Sequence, residues 1–396
     1  MKIYKKKDKM KSTLKYYLIY ALALTACDGK IYVETVNPPG SGKQGAASTE
    51  VKAPDIFVAG DAGYKTYRIP ALVKTKSGSL LAFCEGRNGT GDTGNIDLIM
   101  RRSTDGGKNW SAITIIWNDG ANTCGNPCPV VDPETGRIHL LMTWNLGTDG
   151  KSAGDFNIIG KTDDTRRVWY CYSDDDGKKW SEPIEITSSA KQEDWGWYAT
   201  GPCHAIIKQK DPFKGRIIIP CDCHVRGVTA GTGYSHIIYS DDSGKTWHIG
   251  GKVAGGNEST VAELSDGRLI LNMRASGGYR KVSYSSDGGA SFGAGQAVYT
   301  LPDPTCQAAI LDADINGQHL LFFSNAASST SRVNMTLRKS SDDGASWSSG
   351  YIVWDGSSAY SDIVMIDDSY IGILYEKGSS KNYEKISFEK IAVSRL

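Results

Sequence analysis

The chain has 396 residues, with 45 basic and 44 acidic side chains and a formal net charge of +1 at pH 7. That balance lacks the basic excess with which proteins hold nucleic acid. A hydrophobic content of 40% excludes a disordered chain, and the length suits one large domain or two small ones.

The first 26 residues differ from the rest. A basic head, MKIYKKKDKMKSTLK, precedes the apolar run YYLIYALALTA, which is too short to span a bilayer comfortably and reads as an export signal. Leu24-Thr25-Ala26-Cys27 fits the bacterial lipobox, in which Cys27 is lipidated and becomes the mature N-terminus. Such an anchor tethers a protein to the cell envelope without spanning the membrane. Residues 27–50, ending in NPPGSGKQGAASTE, read as a flexible spacer. Membrane contact is thus expected through the lipid alone, and the oligomeric state is left open.

From residue 51 the chain is rich in short β-like runs. VKAPDIFV (51–58) is followed by TYRIPALVKT and SLLAFCEG, joined by KSGS, then by NIDLIMRRS. Next comes the turn STDGGKNW and a fourth run, WSAITII. The turn recurs as Ser-x-Asp-x-Gly-x-x-Trp at Asp105, Asp175, Asp242, Asp287 and Asp342, with Phe292 replacing Trp in the fourth copy. Intervals of 45 to 70 residues point to an array of supersecondary units. In each copy the Asp is expected to accept backbone N–H bonds, the Gly to supply φ > 0 and the aromatic to enter the core.

Four-stranded antiparallel units repeated about an axis are propeller blades. Five boxes give five blades. The tail runs SDIVMI, YIGILYE and ISFEKIAVSRL make a sixth that lacks one strand, which 51–58 is expected to supply. The fold class is therefore all-β, a six-bladed β-propeller of four-stranded blades over 51–396, with the boxes as structural turns on the outer rim.

Eight cysteines follow Cys27. Their C-x3-C and C-x-C spacings do not match a zinc pair of pairs, and several sit in apolar strands. No metal and no cofactor are expected.

The chemistry is sought in residues that break the repeat. Arg68, Arg87, Arg274 and Arg332 lie at strand ends or in apolar strands, where a charge is costly unless paired or wet. The innermost strands of a propeller line a solvated well, where guanidinium groups from separate blades can grip one carboxylate.

Arg68-Ile69-Pro70 followed by the boxes, EGRNGTGDTGNIDLIMRRS, GNESTVAELSDGRLILNMR, SRVNMTLRKSSDDG and AYSDIVMIDDSYIGILYE, in that order, resembles the bacterial sialidases (neuraminidases) of glycoside hydrolase family 33. The resemblance covers the chain after the spacer. It implies a retaining exo-α-sialidase acting on sialylated glycans. Arg68, Arg274 and Arg332 are then similar to the triad that grips the sialic acid carboxylate, Asp92 to the acid/base, Tyr360 to the nucleophile and Glu258 to its base. Arg87 is similar to an arginine near the sugar's 4-hydroxyl. Asn126 stands where many relatives have Asp, so its substrate-binding role is in doubt. TGPCHAI (200–206) and EDWGWY (193–198) resemble the wall of the acyl pocket and are given no role.

The chemistry is consistent with that set. A carboxylate nucleophile would approach the substrate's carboxylate against like charge, whereas a phenol is neutral; its pKa of about 10 calls for a base. Arginines near the phenol are expected to favour its phenolate form. Asp97, in the alternating run NIDLIM, competes with Asp92 but is expected to face solvent. The alternatives are a trans-sialidase, an intramolecular trans-sialidase and a non-catalytic sialoglycan-binding propeller.

Overall fold

The computed structural model describes residues 51–52, 54–147, 159–162, 165–225 and 233–396. The signal segment 1–26, Cys27 and the spacer 27–50 lie outside the described residues. Among the described residues the fold is all-β, and the single α-helix is the turn Thr187–Ala190.

The strands follow one another in antiparallel runs. Thr66–Lys74, Leu80–Arg87 and Ile96–Ser103 pair in sequence, and Thr114–Trp117 joins as the fourth. Thr123–Val131, Ile138–Asn145, Arg167–Ser173 and Ile184–Glu185 form the next run. Trp195–Thr200 and Ile206–Ile207 share the first place in a run continued by Ile217–Val225, Gly233–Ser240 and His248–Gly256. Ser259–Glu263, Leu269–Met273, Tyr279–Ser285 and Gln296–Pro302 follow. Ala309–Ile315, Gln318–Ala326 and Val333–Ser340 pair next, and the 17-residue strand Tyr351–Asp367 closes their run. The second half of that long strand opens the last run, with Tyr370–Gly378 and Lys385–Ala392. The missing strand of this run is Asp55–Val58, paired antiparallel to Lys385–Ala392, whereas Val51–Lys52, expected in the same strand, pairs with Asn109–Trp110.

Inner strands such as Leu80–Arg87 are buried at every position, which is why they read as continuous apolar runs rather than alternating ones. The cores lie between successive runs. Leu81, Phe83 and Met100 meet Leu140 and Met142. Val168 and Tyr170 meet Ile219 and Trp247. Ile218 and Ile237 meet Leu269 and Leu271, and Ala262 and Ile270 meet Leu321 and Phe323. Phe322 and Leu337 meet Ile363 and Ile373. The last run shares a core with the first, where Leu374, Ile386 and Phe388 meet Leu72, Leu80 and Trp110. All eight cysteines after Cys27 are buried and unpaired, as small core residues.

The five boxes are alike to within tenths of an ångström. In the first, the Ser103 hydroxyl donates to Asp105 Oδ1 at 2.9 Å and accepts from Gly107 N at 2.9 Å, while Asn109 N donates to the same carboxylate oxygen at 3.0 Å. The corresponding Ser–Asp bond is 3.0 Å at Asp175, 2.8 Å at Asp242, 2.7 Å at Asp287 and 2.8 Å at Asp342. Each box glycine has positive φ, 87° at Gly107 and 82° at Gly244, so only Gly is unstrained there. Trp110 and Trp247 are buried as expected, whereas Trp180, Phe292 and Trp347 are only half-buried.

Candidate active site

Antiparallel pairing gives every run two edges. Each box follows the end of a third strand. The starts of first and third strands and the ends of second strands therefore share the opposite edge. That edge collects the residues singled out in the sequence. Arg68 is near the start of Thr66–Lys74, Arg87 ends Leu80–Arg87, Arg274 follows Leu269–Met273 and Arg332 precedes Val333–Ser340. Glu258 precedes Ser259–Glu263, and Asp92 lies in the loop 88–95. One correction follows. The arginines do not all come from innermost strands: Arg87 and Arg274 sit at second-strand ends and Arg332 at a third-strand start.

Four first strands carry a bulge where they present a site residue. The register shifts between Arg68 and Ala71, between Gly125 and Cys128, between Trp195 and Tyr198, and between Ser358 and Ser361. A bulge re-aims a side chain that regular pleating would send elsewhere. At the first, Ile69 takes φ = 63°, a strained conformation for a β-branched residue, and its N–H donates to Glu376 Oε1 at 2.9 Å. At the second, a Cβ on Gly125 would fall 2.2 Å from Glu85 Oε1, so only Gly admits that carboxylate.

These residues line one cavity of about 430 Å³ that includes Arg68, Arg87, Arg274, Arg332, Asp92, Asn126, Glu258 and Tyr360. At its floor the Tyr360 hydroxyl donates to Glu258 Oε1 at 2.6 Å. Arg274 Nη1 donates to Glu258 Oε2 at 2.6 Å and to Tyr360 Oη at 3.0 Å. Arg68 lies over the Tyr360 ring at 4.9 Å and Arg332 at 5.6 Å. Arg68 Nε donates to Glu376 Oε1 at 2.8 Å, and Tyr360 N donates to Glu376 Oε2 at 3.0 Å, so one buried carboxylate sets both residues. Arg332 Nη1 donates to the Tyr383 hydroxyl at 2.6 Å.

On the facing wall Arg87 is clamped by Glu85 through Nε at 2.8 Å, and its Nη1 donates to Asp92 Oδ1 at 2.8 Å. Arg68 Nη1 is 3.9 Å from the same oxygen. Asn126 N donates to Glu85 Oε1 at 2.9 Å, and its side-chain oxygen accepts from Thr143 Oγ1 at 2.9 Å and from Arg166 Nη2. An aspartate there would meet the same two donors. The guanidinium of Arg166 lies 4.1 Å over the Trp197 ring.

The charges follow from these contacts. Burial pushes the Tyr360 phenol well above its ordinary value and the Glu258 carboxylate adds to this, against the opposing pull of Arg274 and Arg68. The phenol is thus protonated, contrary to the phenolate expected from the arginines alone. Burial would raise Asp92, but the charges of Arg87 and Arg68 outweigh it and hold its carboxyl below the usual range. Behind the wall, burial and then the charge of Glu258 raise Asp222 to about 8. Asp222 accepts from Trp197 Nε1 at 2.9 Å and from Asn257 Nδ2 at 3.2 Å.

Asp97 does not face solvent. It is buried and accepts from the Tyr64 hydroxyl at 2.6 Å, so it serves the core. Sequence reasoning missed Glu85, Arg166, Glu376 and Tyr383. The rule that picked out the arginines, a charge inside an apolar strand, applies equally to Glu85 in LLAFCEGR, Glu376 in YIGILYEKG and Arg166 in TRRVWYCYS. Nothing comparable marks Tyr383.

The all-β architecture with its repeated boxes is that of the BNR repeat-like domain, whose profile matches residues 78–373. A sialidase of Micromonospora viridifaciens is 35% identical over 350 residues, which are 83% of this chain and 52% of that protein. An exo-alpha-sialidase of Aspergillus fumigatus is 31% identical over 377 residues, 88% of each. Among solved structures, the Hadza microbial sialidase Hz136 matches with a TM-score of 0.78 at 31% identity, covering 86% of this chain and 68% of that one. The leech intramolecular trans-sialidase, at 18% identity and a TM-score of 0.72 over 87% of this chain and 71% of its own, shares the fold. The chain belongs to the sialidase family. It spans about half the length of the Micromonospora relative.

Proposed function

We propose that the protein is a retaining exo-α-sialidase, which removes terminal sialic acid from glycoproteins, glycolipids and oligosaccharides through a covalent sialyl-tyrosine intermediate. The observation that carries this is the phenol of Tyr360, bonded at 2.6 Å to Glu258 among three guanidinium groups. Arg68, Arg274 and Arg332 bind the sugar carboxylate. Glu258 takes the phenol proton as Tyr360 oxygen attacks the anomeric carbon, and Asp92 protonates the departing oxygen. Asp92 then deprotonates the water that cleaves the sugar–tyrosine bond, and two inversions retain the anomer. The raised proton affinity of the phenol makes Glu258 necessary. The depressed Asp92 is not an obstacle: the substrate carboxylate offsets the cations that depress it, and its proton affinity rises on binding. Arg87 and Asn126 contact the sugar ring from the facing wall.

The runs of strands are the blades of a six-bladed β-propeller over 51–396. The circle of cores and the docking of Asp55–Val58 on Lys385–Ala392 support that reading. Residues 1–26 act as a lipoprotein signal, and lipidated Cys27 with the spacer to residue 50 holds the domain on the bacterial envelope.

Incubation of the purified protein with sialyl-lactose tests the activity. Release of free sialic acid, first as the α-anomer, supports the proposal. An anhydro sugar or a transferred one would replace it with the intramolecular or intermolecular trans-sialidase. Tight binding without turnover would leave a sialoglycan-binding protein, a role that needs the arginines but not the Tyr360–Glu258 pair.

A further inference from the structure

Tyr299 is the most exposed large hydrophobic side chain among the described residues, at 74%. Its ring centroid lies 5.2 Å from that of Tyr279, with the planes inclined at 74°. The other exposed aromatics, Phe213 and Tyr370, are each covered by a cation, Arg216 at 4.1 Å and Lys390 at 4.0 Å. Among the described residues no such cation lies over Tyr279 or Tyr299, and Tyr279 is half-buried.

The pair belongs to the site edge. Tyr279 opens the third strand of its run, the place that Arg332 adjoins in the next run. Upstream, Arg274 and Ser276 line the cavity, and three residues of chain from Ser276 reach at most about 10 Å. The backbone of Gly278 rests against Ser329, in the loop that leads to Arg332: a Cβ at Gly278 would lie 3.2 Å from the Ser329 Cβ. Gly278 O also accepts from Asp303 N at 2.9 Å, two residues before Thr305 of the cavity wall. The tyrosines therefore stand on the rim, beside the loops of two arginines that bind the sugar.

A cavity of about 430 Å³ has room for the reacting sugar, and the rest of the glycan must lie outside the mouth. Sugar rings present faces of C–H groups. Aromatic rings cover such faces, and a phenol hydroxyl bonds the hydroxyls at their edge. We propose that Tyr279 and Tyr299 form a leaving-group subsite that holds the saccharide on the far side of the cleaved bond. This rests on the sialidase reading and adds a preference for substrates that carry a sugar, rather than a small group, as the leaving portion.

The test compares kcat/KM for sialyl-lactose and for a methyl α-sialoside, in the full-length protein and in Tyr299→Ala and Tyr279→Ala/Tyr299→Ala. The double variant should lose about tenfold on sialyl-lactose, mainly in KM, the worth of one aromatic contact. The single variant should lose less, and the methyl sialoside should be turned over as before. Equal losses on both substrates, or none on either, overturn the subsite while leaving the activity standing. If the double variant does not fold, Tyr299→Ala, at an exposed position, decides by the same ratio. A wild-type protein that cleaves neither substrate removes the sialidase reading and this inference with it.

Discussion

Asp92 and Asp105 are both exposed aspartates in glycine-rich turns, at opposite edges of one run of strands. Both carboxyls are held below the ordinary range, for different reasons. The N–H of Asn109 is the main cause at Asp105, with the Ser103 hydroxyl and the N–H of Lys108 assisting, and it takes the group to about 2. Partial desolvation would raise Asp92, and the guanidinium groups of Arg87 and Arg68 overcome it. A turn's own N–H groups remain in place whatever binds, so the Asp105 charge is committed to the fold. The arginine field at Asp92 is offset by any anion that enters the cavity, so its protonation answers to the ligand. Depressed acidity marks a scaffold at one edge and a responsive group at the other.

The largest expected effect is at the site edge. Tyr360→Phe should keep its melting temperature and lose at least about 10²–10⁴-fold in kcat, since Glu258 then has no proton to take. Turnover near normal would remove Tyr360 as the nucleophile.

Glu376→Ala should cost about 3–5 kcal/mol in chemical denaturation, because it leaves the buried Arg68 without its partner. A loss under about 1 kcal/mol, as for a surface pair, would mean that Arg68 is held by other contacts.

Arg87→Met should move Asp92 upward toward the ordinary carboxylate range. The acid form then persists to higher pH, and the alkaline limb of the kcat/KM profile moves up with it. A limb that stayed in place would separate Asp92 from that titration.

The smallest effect is at the box edge. Asp105→Ala should lower stability by about 1 kcal/mol and leave kcat/KM unchanged. Its folded-state pKa is depressed, so its contribution is present above the unfolded value near 4 and is lost as pH falls toward about 2. Stability measured at pH 6 and pH 2 in the variant and the parent should converge at the lower pH. Loss of activity in a folded Asp105→Ala protein would break the division between the two edges.

Much of this was legible in the chain. The hydrogen bonds of the boxes are legible because they close within six residues, so spacing alone determines them; the depth of the box aromatics is not, and Trp180, Phe292 and Trp347 are only half-buried. The arginines were found because a charge in an apolar strand demands a partner. The same demand marks Glu85 and Glu376, but a carboxylate that holds an anion-binding group in place leaves the same trace in the sequence as one that does not, so their role is not legible there. Asp97 was misread because alternation along one strand cannot report what covers its outer face; Tyr64, 33 residues upstream, does. The charge state of Tyr360 was likewise hidden, since desolvation depends on burial and not on which side chains are nearby.

The sequence by itself determined the strands, their turns and the residue types able to do the chemistry, because those depend on contacts between near neighbours in the chain. Only the tertiary structure decided which of them meet. Arg68 and Glu376 are 308 residues apart and Tyr360 and Glu258 are 102 apart, yet each pair is in hydrogen-bond contact. The reason is that antiparallel pairing and four bulges, acting together, bring distant strand ends to one edge, and no local pattern encodes that sum.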